Sequence, residues 1–388
     1  MVVMNANEGK SSLATTGTSS AATTSQSPSE GFLTSFDRTG ISQDAVNTAI
    51  DDDFLSFGVA VDAGRVPLWP LNESKGRELE LMHHYSTYTC NTLALREDMK
   101  HVWRVVIPRE GYSHPFVMDG ILALSALHKA YLIPSDREAY LTIAAHHQSL
   151  GLEGFRPLLT NVTEQNWKPV FCYATVVALY VCLLPARSDK GQLSAPVANT
   201  LEMIRFVRGI RSVLQPFIEH LPRSNFAPLA QGVWIVQSCE ISDYDPPLEQ
   251  SLLPRDTFDA LRRLGSFFRH DPQLTAPQDY EAAVSELMFS AKLMASAGLH
   301  IECGMVLSWP YVLPASILAD IQELNPYALV LLSYFSAFLA IMGTRFWVLE
   351  GWGTQLLKDI EALLKDLPPF HEILTWPKEQ VSRLNGIS

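Results

Sequence analysis

Two histidine pairs, His83-His84 and His146-His147, together with His128, are the side chains of this chain that invite a metal hypothesis. Their spacing argues against one. Side chains on a helix meet at i, i+3 and i+4, so adjacent histidines point to different faces and cannot close on one ion. No His-Glu-x-x-His string occurs. His300-Ile301-Glu302-Cys303 copies half of the zinc deaminase signature, but the Pro-Cys-x-x-Cys half is absent. Gly351-Trp352-Gly353 is not a phosphate loop, since no Gly-Lys-Ser/Thr follows. Its glycines are expected to let a helix bend or pack closely. With no nucleophile elbow and no cofactor motif, what remains is acid-base chemistry without a cofactor. His114 and Asp119 lie on one apolar segment, and Glu286 and Glu302 lie on or near another. A buried carboxyl or imidazole beside an apolar cavity has its pKa moved towards neutrality, which suits a general acid or base. His114, Asp119 and Glu302 are the catalytic candidates of that reading. The competing reading makes His114 a brace at a helix start.

A second set is aromatic and sulfur-rich. Tyr334, Phe335, Phe338, Met342, Phe346, Trp347 and Trp352 lie along one segment, and Met118 and Leu122 on another. Such residues line a concave apolar pocket or fill a core. The elements that position them are Ser113 to Leu132 and Asn325 to Leu357, both helical in pattern and apolar on nearly every face. A helix without a polar side is wrapped by other helices or by lipid. Ser125 and His128 interrupt the first, and Ser333, Ser336 and Arg345 the second, short of the roughly 20 clean apolar residues a bilayer needs. No membrane span is expected.

Further helices are expected over Glu78 to Ala94, Asp136 to Leu158, Val170 to Leu184, Leu201 to Leu214, Asp256 to His270, Tyr280 to Gly298 and Trp309 to Leu324, with no alternating strand pattern. Ser113 is the expected N-cap of the helix that follows it. Residues 1–35 are rich in Ser, Thr and Ala and read as a disordered tail. Residues 36–73 read as a linker with one short helix near Ile41 to Phe57, a solvated acidic turn at Asp51 to Asp53, and an extended Val66 to Pro70. Residues 74–388 form the folded part. The fold expected is all-α: one large domain, an antiparallel helical bundle with a disordered N-terminal tail.

The chain has 388 residues, 47% hydrophobic and 18% charged, a composition of large buried interiors. A net charge of −12 with no Lys/Arg-rich run argues against direct contact with nucleic acid. The cysteines, Cys90, Cys172, Cys182, Cys239 and Cys303, have neither zinc-ligand spacing nor a disulfide framework and read as free buried thiols. No signal-peptide pattern opens the chain. The expected location is nuclear or cytoplasmic, not secreted.

Several strings fall in a telling order: Leu79 to Thr89 (LELMHHYSTYT), His101 to Tyr112 (HVWRVVIPREGY), the SHPFVMDGILALSALHKA run from Ser113, the RFWVLEGWGTQLL run from Arg345, and Leu374 to Pro377 (LTWP). Together they resemble the regulatory region of fungal zinc binuclear cluster transcription factors, nearest in style to sterol uptake regulators, over about Gly76 to Glu379. The DNA-binding module of that family holds two zinc ions on six cysteines. The first 89 residues here contain no cysteine, so loss of that module is the expectation. The resemblance implies a helical regulatory domain that binds a hydrophobic small molecule, sterol-like or a secondary metabolite, or a partner protein. Two alternatives stand beside it. One is a cofactor-independent isomerase or cyclase of secondary metabolism using the acid-base set above. The other is a dimerisation or decoy subunit, homodimeric or paired with a related transcription factor.

Overall fold

The computed structural model describes residues 71–188, 191–230 and 245–385, all within one unit, Ile41–Ser388. The tail, the Ile41 to Phe57 helix, the acidic turn and the Val66 to Pro70 segment lie outside the described residues, as does Cys239. The described residues form helices joined by short connections, without a strand.

The first helix, α1 (Leu71–His84), starts seven residues before the expected Glu78 and runs on through a π-helical turn, Tyr85–Thr89. The segment Glu97–His101 passes through a second π turn, Val102–Val106, into α2 (Ile107–Ser113). The two π turns are tied together: Tyr85 is fully buried and its hydroxyl donates to Trp103 O at 2.8 Å. An extra residue in a helical turn pushes side chains out of i, i+4 register, and such bulges recur at functional positions.

Next comes α3 (Pro115–Leu132). Ser113 closes α2 rather than capping α3; the N-cap is His114, held extended at φ −131°, ψ 96°. A residue before proline is pushed out of the helical region, so the boundary falls at His114, with Pro115 in the first turn. The helix ends ahead of Pro134, and α4 (Arg137–Leu159) follows after a chain reversal of 120°. It packs on α3 more extensively than any other element does. α5 (Trp167–Cys182) crosses α3 at Gly120, where a Cβ would stand 2.8 Å from Val176 Cγ1.

α6 (Pro196–Leu214), α7 (Thr257–His270) and α8 (Pro277–Ala297) follow. The expected helix Trp309 to Leu324 is broken: Trp309–Val312 and α9 (Ala315–Gln322) are separated at Leu313-Pro314, with a bend of 94°. The expected single helix from Asn325 to Leu357 is also two. α10 (Pro326–Gly343) and α11 (Trp352–Leu364) are joined by a 3₁₀ turn, Trp347–Leu349, and by Gly351 at φ +84°, a conformation open to glycine at no steric cost. α12 (Thr375–Asn385) closes the fold against α10 and α11.

α10 sits at the centre. Asn325 caps it by accepting the Tyr327 N–H at 3.0 Å. Its buried residues include all but a few of its length. The hydroxyls of Ser333 and Ser336 bond back to Val330 O and Ser333 O, each at 2.6 Å, so neither is left unsatisfied in the interior. By length and composition α10 is sufficient to cross a membrane, yet 78% of it is buried inside the protein. The greasy surface is therefore already occupied by neighbouring helices.

Candidate functional site

The acid-base candidates fall in three separate places. His114 Nδ1 lies 2.9 Å from Glu110 O at the α2–α3 junction, which fits the bracing role. Asp119, on α3, pairs with His147 of α4 at 2.8 Å, and His147 is buried. This is the base-and-orienter half of a nucleophilic triad, but no hydroxyl or thiol bonds to His147 among the described residues. Glu302 is buried just before Cys303–Leu307, where its Oε1 accepts the N–H groups of Leu95 at 2.9 Å and Arg96 at 2.7 Å. Its Oε2 is buried without a partner, and burial pushes its pKa up to about 7. No group of three His, Cys, Asp or Glu among the described residues is placed to hold a metal ion.

The histidines that failed as metal ligands form something else. His84 Nε2 lies 3.2 Å from His128 Nδ1, and Thr89 Oγ1 lies 3.0 Å from the same nitrogen. Rings continue on both sides. Tyr88 packs on His84, Trp347 on His128 at 4.9 Å, and Tyr131 on Trp347 at 5.3 Å. The Trp347 indole N–H donates to Thr92 Oγ1 at 3.0 Å, so this ring pins α3 to the segment beyond α1. Burial, with nearby His84, lowers the His128 pKa to about 4. Its unfolded value is 6.5, so its contribution is fully present above pH 6.5 and is lost as pH falls towards 4. The shift corresponds to about 3 kcal/mol. The expected result is that the stability difference between wild type and His128→Asn shifts by about 3 kcal/mol in favour of wild type as pH rises from 4 to 6.5. Urea titrations of both proteins across that range check it; parallel curves would refute it.

The aromatic set is not gathered around one hollow. Phe335 packs on Trp309 at 4.6 Å, the Trp352 N–H donates to Cys182 O at 2.6 Å, and Trp347 belongs to the histidine stack. Phe338, Met342 and Phe346 are fully buried, Leu122 nearly so, and half-buried Met118 lies against Gly111. Tyr334 is the member that reaches an opening. A cleft of about 630 Å³ lies beside it, lined by Asp256, Arg263 and Phe267 from α7 and its approach, and by Pro369, Glu372, Ile373, Thr375, Trp376 and Glu379 from the α11–α12 connection and α12. That volume suits a small molecule. Tyr334 stacks on Trp376 at 5.2 Å and 19°, and its hydroxyl donates to Ile373 O at 3.1 Å. Trp376 is 5% exposed, and its buried indole N–H has no partner. Arg263, Asp256 and Glu372 make no ion pair or side-chain hydrogen bond within the described residues.

Sequence reasoning missed most of this cleft. Trp376 lies in the LTWP string, and Arg263 and Phe267 stand at i, i+4 on an expected amphipathic helix. Their convergence, however, depends on how α12 seats on α10.

Comparison with known proteins bears on the whole arrangement. Residues 80–221 match the fungal specific transcription factor domain. A Zn(2)-C6 fungal-type transcription factor of Gibberella zeae is 23% identical over 337 residues, covering 80% of this chain and 63% of that protein. Another of that description, from Aspergillus fumigatus, is 24% identical over 274 residues, 68% of this chain and 67% of its own length. Sterol uptake control protein 2 of Saccharomyces cerevisiae is 24% identical over 185 residues, 47% of this chain and 20% of that protein. The chain thus spans about two thirds or less of the length of these relatives.

Proposed function

Since residues 80–221 match the fungal specific transcription factor domain, we propose that this chain is a ligand-responsive regulatory domain of transcription. In this reading, a small molecule with an apolar body enters the cleft beside Tyr334 and Trp376. The cleft supports it: one wall is α12, which packs against the central α10 and against α11. A molecule wedged between α7 and α12 acts on the seating of the last helix. It shifts the balance of two packings only if it binds one of them more tightly. The packing it favours exposes or hides a surface for a partner, a second copy or a related transcription factor. The net charge of −12 and the lack of a Lys/Arg-rich run favour a role in which these residues leave DNA contact to others, in the nucleus or cytoplasm.

The test is direct. The chain is purified, co-purifying small molecules are identified by mass spectrometry, and melting is measured with each added back. A ligand at one hundred times its Kd stabilises by about 2.7 kcal/mol, a shift of several degrees. Trp376→Ala should remove the shift. The proposal fails when no molecule co-purifies and neither ergosterol nor any fraction of a cell extract, apolar or polar, moves the melting point.

A further inference from the structure

We infer that the cleft takes an amphoteric molecule, an apolar or aromatic body bearing both a cationic and an anionic group, in preference to a neutral sterol. The inference rests on the ligand-cleft reading and adds the class of ligand.

Its basis is charge. Arg263 on one side, and Asp256 and Glu372 with it, line the same opening without pairing to one another or to any described residue. Glu379 is held only loosely, 3.8 Å from Arg383. A neutral polycyclic molecule with one hydroxyl would cover these groups and strip their water while satisfying few of them, and desolvated charges without partners are costly. A purely anionic ligand would satisfy Arg263 but face Asp256, Glu372 and Glu379. A purely cationic one would leave Arg263 unmet. A ligand with both groups satisfies both sets. Its carboxylate or phosphate accepts from the guanidinium, with the strength of a charge-assisted hydrogen bond. Its ammonium meets Asp256 or Glu372. Its body lies against Phe267, Ile373 and the Tyr334–Trp376 stack, where a cation is also attracted by the ring faces.

The experiment is calorimetric titration of the full chain with the dipeptides Phe-Trp and Leu-Trp, with N-acetyl and C-terminal amide forms of each, and with ergosterol in detergent. The zwitterions should bind at least tenfold more tightly than either blocked form. In Arg263→Gln the zwitterion and its amide should bind alike; in Glu372→Gln the preference over the N-acetyl form should narrow. Ergosterol binding without dipeptide binding at millimolar concentration would overturn this class of ligand and leave the cleft reading standing. Blocked and free dipeptides of equal affinity would also overturn it. No binding by any probe, with no molecule co-purifying with the chain, would overturn both.

Discussion

Gly353→Ala should lower stability by about 3 kcal/mol or more, the largest loss expected from adding a single methyl group. Gly353 is the second residue of α11, where α11 crosses α10. A Cβ there would stand 2.3 Å from Ser336 O, 2.4 Å from Ala340 N and 2.6 Å from Ala340 Cβ. Two of these neighbours are backbone and the third is a Cβ, so no rotamer change can make room. The helices must separate, and α10 is packed on nearly every face. Overpacking of a core by one methylene typically costs 1–3 kcal/mol through side-chain adjustment. A clash with backbone belongs at or above the upper end, well beyond the roughly 1 kcal/mol that alanine gains over glycine in helix propensity. Gly120→Ala is the control. Its neighbours at 2.8 to 3.1 Å are side-chain atoms of Val176 and Tyr173, which can turn. Urea midpoints of the two variants should therefore differ, with Gly353→Ala far lower. A Gly353→Ala protein within 1 kcal/mol of wild type would show that the two helices can move apart at little cost.

The same crossing shows what the sequence could and could not tell. The apolar runs at Phe116 to Ala130 and Ala328 to Met342 announce helices buried on all sides, and they are. The Gly-Trp-Gly string signals close packing, which Gly353 provides. The reversal between α10 and α11 was hidden, because Phe346, Val348 and Leu349 keep the run apolar while a 3₁₀ turn and Gly351 redirect the chain. The π turns were also illegible, since an inserted residue leaves composition unchanged. Pairings across the fold were out of reach altogether. Asp119 was recognisable as an acid on an apolar helix, but nothing local names His147 as its partner. Tyr334 was recognisable as aromatic lining, but its place at the cleft depends on Trp376, some forty positions on.

Glu302→Gln should stabilise the protein at pH 8 and do little at pH 4.5. The carboxyl is buried, and desolvation raises its pKa from 4.5 to about 7 against the opposing pull of the Leu95 and Arg96 N–H groups and the Arg96 charge. Between those two values the folded state holds a proton that the unfolded state has released. The stability it contributes is complete below pH 4.5 and is lost as pH rises through 7, by about 3 kcal/mol. Glutamine keeps an oxygen to accept the two N–H groups and has no charge to bury, so the variant should lack this decline and exceed wild type by about 2 kcal/mol at pH 8. Glu302→Ala removes the acceptor as well, and should be destabilised by about 2 kcal/mol at pH 5. His128 works in the opposite direction over nearly the same interval, gaining stability as pH rises from 4 to 6.5. In wild type the two slopes nearly cancel and the stability profile looks flat. Each is exposed only when the other is removed: Glu302→Gln should gain stability with rising pH, His128→Asn should lose it, and the double variant should be flat again. A double variant with a slope as steep as either single one would mean that other groups set the pH response of this fold.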